Sequence, residues 1–158
     1  MDAGVHLVDL ALWLLGSSAS SVRCRMSRAA EDTVESDAEV EIEFASGSRA
    51  LLSCSYSHDL NGKVELEGEH GWAAANINRS GWLEFYSTQA LICRRQGVQS
   101  PRLSKGSIYE AQMHHFCTAL LQDRPFLVPM ADVIAGLTLL ETCYRSAFSV
   151  IAPSGERP

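Results

Sequence analysis

Residues 38–56 carry the strongest pattern in the chain. Ala38, Val40, Ile42 and Phe44 alternate with Glu39, Glu41 and Glu43, the period-two signal of a strand with one dry and one wet face. Ala45-Ser46-Gly47-Ser48 supplies turn residues and Arg49 to Tyr56 runs back, so the stretch predicts an antiparallel hairpin. Upstream, Val22, Cys24 and Met26 alternate with Arg23 and Arg25 and predict a strand over 21–28. Asn61-Gly62 marks a turn before Val64 to Leu66, and Gly68 and Gly71 bracket another. Further strands are expected at 72–77 and 82–86, with a short edge strand at 90–94.

Helical patterns flank these strands. Residues 3–15 are almost wholly apolar and are stopped by Gly16 and the serines after it. With nearly every face apolar, this helix is expected to be buried almost all round. Near the other end, Ile108, Met113, Phe116, Ala119 and Leu120 form one apolar stripe. Val133, Leu137, Leu140, Tyr144 and Phe148 form a second. Residues 95–106 read as a loop and 153–158 as a tail. The order is one helix, a run of antiparallel strands, then two helices. That predicts a single α+β domain over 1–152, an open antiparallel (mixed) β-sheet with helices packed on one face.

Bulk properties narrow the picture. The 158 residues suit one domain with a real core. A net charge of −6 argues against nucleic acid or an anionic membrane as partner. The apolar run at 3–15 is too short to span a bilayer and lacks the basic start of a secretory signal, so a cytoplasmic protein is expected. Cys24, Cys54, Cys93, Cys117 and Cys143 are scattered without a C-x-x-C pair. They read as reduced thiols rather than as disulfides or a zinc site. No G-x-G-x-x-G follows a strand, so these residues alone are expected to bind no dinucleotide.

One constellation carries chemistry. Asp2, His6, Asp9 and Trp13 are spaced to share one face of the first helix, among Val5, Leu7, Val8, Leu10, Leu12 and Leu14. Polar groups on a buried helix cost free energy unless protein, water or a ligand meets them. Two readings stand side by side: Asp2 as an N-cap with His6 and Asp9 as a satisfied core pair, or a site. Elsewhere, His114 and His115 diverge by about 100° on a helix and cannot chelate one ion, so one is expected to face solvent and the other to pack. His58 and His70 lie in turn-like segments with no partner at ligand spacing, and no metal site is expected. Trp72 and Trp82 read as sheet packing.

Asp2-Ala3-Gly4-Val5-His6-Leu7-Val8-Asp9, followed by Trp13-Leu14 and Gly16, resembles the D-x-G-x-H-x-x-D…W-L-x-G signature of the Gfo/Idh/MocA oxidoreductases. That is the family of glucose–fructose oxidoreductase and inositol dehydrogenase. The Phe44 to Gly47 hairpin, the Glu67 to Gly71 turn, Tyr109 to Phe116 with Ala119-Leu120, and Glu141 with Tyr144-Arg145-Ser146 are similar too.

The resemblance implies the C-terminal, substrate-side domain of an NAD(P)-dependent sugar or polyol oxidoreductase. Its Rossmann domain, which holds NAD or NADP and the lysine of an E-K-P motif, is not among these residues. By the same resemblance, His6 is the general acid/base, Asp2 orients it or the substrate, and Asp9 gives substrate or structural support. A homo-oligomer, expected to be a dimer, would form through the open sheet face. There Glu39, Glu41, Glu43, Glu65 and Glu67 share the polar phase with Arg23, Arg25, Arg49, Leu51 and Ser53. Inactivity of the chain alone is expected. The alternatives are a non-catalytic binding or assembly module that kept the fold, and a truncated gene product.

Overall fold

Strands β1 (Ala19–Ser27), β2 (Asp37–Phe44) and β3 (Arg49–Ser55) form an antiparallel sheet in that order. The computed structural model describes residues 2–27, 34–77, 82–89, 97–101 and 106–149. The β2–β3 turn closes as its residues predict. Gly47 takes φ +84°, the Phe44 amide donates to Ser48 O at 2.9 Å, and the Gly47 amide donates to Phe44 O at 2.9 Å. The alternation in β2 then turns Ala38, Val40, Ile42 and Phe44 to one face, all of them buried.

Two helices cover that face: α1 (Asp2–Leu15) and α3 (Met130–Ser149). Helix α1 packs on α3 and on β3, and α3 packs on β1. Val8 and Ala11 from α1 join Cys24, Val40, Ile42 and Phe44 from the sheet and Leu139, Cys143 and Ala147 from α3 in one core. Ile42 is fully buried, a contribution of roughly 1.5–3 kcal/mol for a side chain of its size. Helix α1 is not buried all round. Gly4, Val8 and Ala11 face inward while His6, Asp9 and Trp13 are exposed, because the helix lies on one side of a single sheet.

Helix α3 also presents a different stripe from the one its largest apolar residues suggest. Gly136, Leu139, Cys143 and Ala147 are buried, whereas Val133 and Leu137 are exposed. Cys143 and Ala147 flank Ser146, whose hydroxyl bonds to Cys24 N and Val22 O, so small side chains lie where α3 meets β1. These elements belong to the first of two units into which the chain divides, residues 1–58 with 127–158.

The second unit, residues 59–126, holds β4 (Lys63–Gly68), β5 (Gly71–Asn76), β6 (Leu83–Ser87) and α2 (Ile108–Leu121). Its three strands are antiparallel in sequence order. The expected strands thus fall into two three-stranded sheets within an α+β fold. The edge strand anticipated at 90–94 and the tail at 153–158 lie outside the described residues. Ser107 caps α2, its hydroxyl accepting from the Glu110 amide at 3.2 Å. On α2, Ala119 is buried, while Ile108, Met113, Phe116 and Leu120 of the anticipated stripe are exposed. Phe116 stacks on Phe126 with ring centroids 5.6 Å apart. His114 and His115 are both exposed, where one was expected to be buried by packing. Among the described residues no helix is long and apolar enough to cross a membrane.

Candidate functional site

The first helix carries the candidate site on its outer face. Val8 and Ala11 anchor α1 to the core, which turns the positions between them outward. His6 and Asp9 are exposed, and Trp13 keeps 76% of its surface open. His6 and Asp9 are therefore not a core pair. Asp2 begins the helix; its side chain lies outside the described residues, so its part in an N-cap or a site does not appear here. The face is a row of an imidazole, a carboxylate and an indole, all reachable from solvent.

A second polar cluster sits at one end of the β1–β2–β3 sheet. Asp37 opens β2 and is paired in register with Ser27 on β1 and Ser55 on β3. Its Oδ1 accepts from the Ser55 and Ser57 hydroxyls, each at 2.5 Å. Its Oδ2 accepts from Ser36 at 2.7 Å and Ser27 at 3.1 Å. Hydrogen bonds from Ser55, Ser57 and Ser36 hold this carboxyl far below the usual carboxylate range. His58 joins the group: Nδ1 lies 2.8 Å from Ser57 Oγ and 3.6 Å from Asp37 Oδ1. The sequence pattern does not disclose this cluster, because register, not spacing, brings Ser27, Asp37 and Ser55 together. Four hydroxyls converging on one carboxylate satisfy it, and the cluster fastens the ends of three strands.

The remaining titratable groups have structural surroundings. Burial pushes the Cys24 thiol up to about 12, helped by Cys143 beside it. Burial raises Cys143 and Cys54 as well. Thiols so placed are poor nucleophiles. The described cysteines, Cys24, Cys54, Cys117 and Cys143, are free. Tyr144 donates to Glu35 Oε1 at 2.5 Å; burial first, and then that bond, push its hydroxyl up to about 12. Among the described residues no three His, Cys, Asp or Glu side chains are grouped so as to hold a metal ion.

The sheet face away from the helices is polar and open. Arg23 pairs with Glu41 at 3.5 Å and Arg49 with Glu43 at 3.7 Å, while Arg25 stands opposite Glu39. Leu51, opposite Glu41, is 80% exposed in the middle of these charges.

A family model described as the GFO/IDH/MocA C-terminal domain matches residues 1–74, which include α1 and the first sheet. Residues 1–74 belong to the Gfo/Idh/MocA C-terminal domain family. No curated protein matches the chain. Among solved structures, aldose-aldose oxidoreductase from Caulobacter crescentus, complexed with glycerol, is similar at 21% identity and a TM-score of 0.79, over 92% of this chain and 44% of that one. GenD2 from gentamicin A biosynthesis, in complex with NAD, is 29% identical with a TM-score of 0.71, over 93% and 45%. Levoglucosan dehydrogenase, in complex with NADH and levoglucosan, is 18% identical with a TM-score of 0.77, over 92% and 46%. The chain thus spans less than half the length of the solved structures it matches.

The Gfo/Idh/MocA relationship brings a nicotinamide dinucleotide into question. A pyrophosphate is held by a glycine-rich turn between a parallel strand and a helix N-terminus. Both described sheets are antiparallel and the sequence has no G-x-G-x-x-G. The residues present do not fit the pyrophosphate, and no step through the dinucleotide follows from them.

Proposed function

We propose that the chain is the substrate-side part of a Gfo/Idh/MocA oxidoreductase that acts on a sugar or polyol, with the outer face of α1 turned to the substrate. The observation that carries this reading is the exposure of His6 and Asp9 on a helix whose opposite face is fixed in the core. A helix pinned by Val8 and Ala11 holds this imidazole and carboxylate at fixed positions on an outer face that a substrate can reach. His6 would take up or return the proton of a carbinol hydroxyl, since imidazole is the side chain suited to proton exchange near neutral pH. Asp2 would orient His6 or the substrate, and Asp9 would give substrate or structural support. Oxidation of the carbinol carbon needs a hydride acceptor, NAD or NADP in this reading, held by residues other than these. The open face of the first sheet would join two copies.

Catalysis is tested with the expressed product of the reading frame that includes the codons before Met1. That product should reduce NAD or NADP in the presence of a sugar or polyol. His6→Asn should lower kcat by about 10²–10⁴, with an unchanged circular dichroism spectrum. A folded product inactive across a broad panel of sugars and polyols would favour a non-catalytic binding or assembly module instead.

A further inference from the structure

The second sheet carries an aromatic and acidic row that the oxidoreductase reading leaves unused. Glu67 on β4, Trp72 on β5 and Tyr86 on β6 are direct cross-strand neighbours, since Glu67 pairs with Trp72 and Trp72 with Tyr86. They therefore share one face, with the next row formed by Glu65, Ala74 and Glu84. Trp72 is 37% exposed and Tyr86 36%, so both rings offer part of their surface to solvent rather than serving only as sheet packing. Ala74 beside them is buried and small, which leaves the floor low.

The row is built on a close backbone approach. Gly71 takes φ +148°, and a Cβ placed there would lie 1.9 Å from Tyr86 O, so only glycine admits the contact that seats Tyr86 beside Trp72. The hairpin tip is tied down as well, the Thr88 amide donating to His70 O at 2.8 Å and its hydroxyl at 3.2 Å. The resulting depression is lined by Glu67, Glu69, His70, Trp72, Tyr86 and Gln89 among others, and includes no lysine or arginine. Lys63 is engaged with Glu65 at 2.7 Å, and among the described residues no cation pairs with Glu67.

From this arrangement we infer a binding site for a protonated aminosugar. The flat apolar C–H face of a sugar ring matches the Trp72 and Tyr86 rings. The ammonium group is attracted both by the ring faces and by the Glu67 carboxylate. Gln89 and His70 stand at the rim to exchange hydrogen bonds with ring hydroxyls. A neutral sugar would keep the stacking and lose the charge. An anionic one would meet Glu67 and Glu69 with no counter-charge.

The test uses the whole chain at pH 6 and low salt, with glucosamine as probe and glucose as its neutral counterpart. Indole N–H signals of Trp13, Trp72 and Trp82 are followed by ¹H–¹⁵N NMR, with Trp72→Phe to assign the Trp72 peak. Glucosamine should shift the Trp72 signal saturably, with an affinity about fivefold above that of glucose, the size of an exposed ion pair with Glu67. Glu67→Gln, which keeps the shape of the side chain, should remove most of that difference. An equal response to glucose, or no saturable shift at Trp72, overturns the proposal. So does a Glu67→Gln variant that binds glucosamine undiminished. A response confined to Trp13 also overturns it and would instead favour the α1 face, so the two readings fail separately.

Discussion

Ser146 on α3 closes the outer edge of β1: its hydroxyl accepts from the Cys24 amide at 3.2 Å and donates to Val22 O at 3.3 Å. Strand β1 lies at the end of its sheet, with only β2 beside it. An edge strand presents unpaired amides and carbonyls, and a serine on the covering helix takes the place of part of a fourth strand. Ser146→Ala leaves a part-buried donor and acceptor without this partner, so unfolding should become easier by about 1–3 kcal/mol. Urea denaturation of the two proteins checks it. An unchanged midpoint would mean that water replaces the hydroxyl without cost.

Where β-structure alternates, the sequence discloses it almost residue by residue, as from Ala38 to Phe44, because one wet face and one dry face leave a visible period. Helix packing was less legible. Gly136, Cys143 and Ala147 are inconspicuous by hydropathy yet are buried on α3 together with Leu139, since the face that meets the core is set by how the helix docks and not by hydropathy alone. The division of the strands into two sheets depends on pairing, which alternation does not encode. The His6 and Asp9 stripe was visible from spacing alone, but its outward direction depends on which face of α1 the core takes. Ser146 stood out only as a similarity in the closing helix, and Tyr144 both there and in the apolar stripe; the structure gives each a bond to make.

Tyr144 should mark the alkaline limit of stability. Its folded pKa, about 12, lies above the ordinary 10.0. The folded state therefore holds a proton that the unfolded state gives up in that window. This contribution is complete below pH 10 and is lost as pH rises from 10 to about 12. Tyr144→Phe should flatten the fall in melting temperature across that range. A variant as alkali-sensitive as the parent would assign the effect to other groups.

Asp37 should govern the acid limit, with the opposite sign. Its folded pKa is depressed by the serine hydroxyls, below the ordinary 3.8. Its contribution is present above that value and is lost as pH falls further. Asp37→Asn keeps the shape, makes the site a poorer acceptor, and should lower the melting temperature at pH 7 while reducing its further drop toward pH 3. Equal acid sensitivity in both proteins would show that the cluster does not control this limit.

Gly71→Ala should be severe in the second sheet and silent in the first. The added Cβ meets Tyr86 O at 1.9 Å and the φ of +148° is unfavourable for any L side chain. The backbone conformation alone costs on the order of 1–3 kcal/mol, and the clash forces β6 away from β5. Amide hydrogen exchange should rise at Ala73, Ala75 and Phe85 while Val40 and Ile42 stay protected. Uniform loss of protection would mean that the two sheets unfold together.

Self-association through the first sheet is the last expectation, and its physics points to one residue. A two-fold axis would bring the open face against itself. The charges there add little affinity, because Arg23 with Glu41 and Arg49 with Glu43 already pair within one copy, and exposed ion pairs contribute about 0–1 kcal/mol. What the face loses by staying open is the 80% exposed Leu51, set among those pairs. Burying it against its counterpart would remove apolar surface at the centre of the contact, while Arg25 and Glu39, one row along the same face, could exchange partners across the axis. Light scattering over a concentration series should therefore give a mass rising above 17.3 kDa. Leu51→Glu should hold the mass at the monomer value, by placing like charges face to face in the centre. Glu65→Gln, on the other sheet, should change nothing. A constant monomer mass for the parent chain would refute the dimer outright. A dimer indifferent to Leu51→Glu would move the interface away from this face.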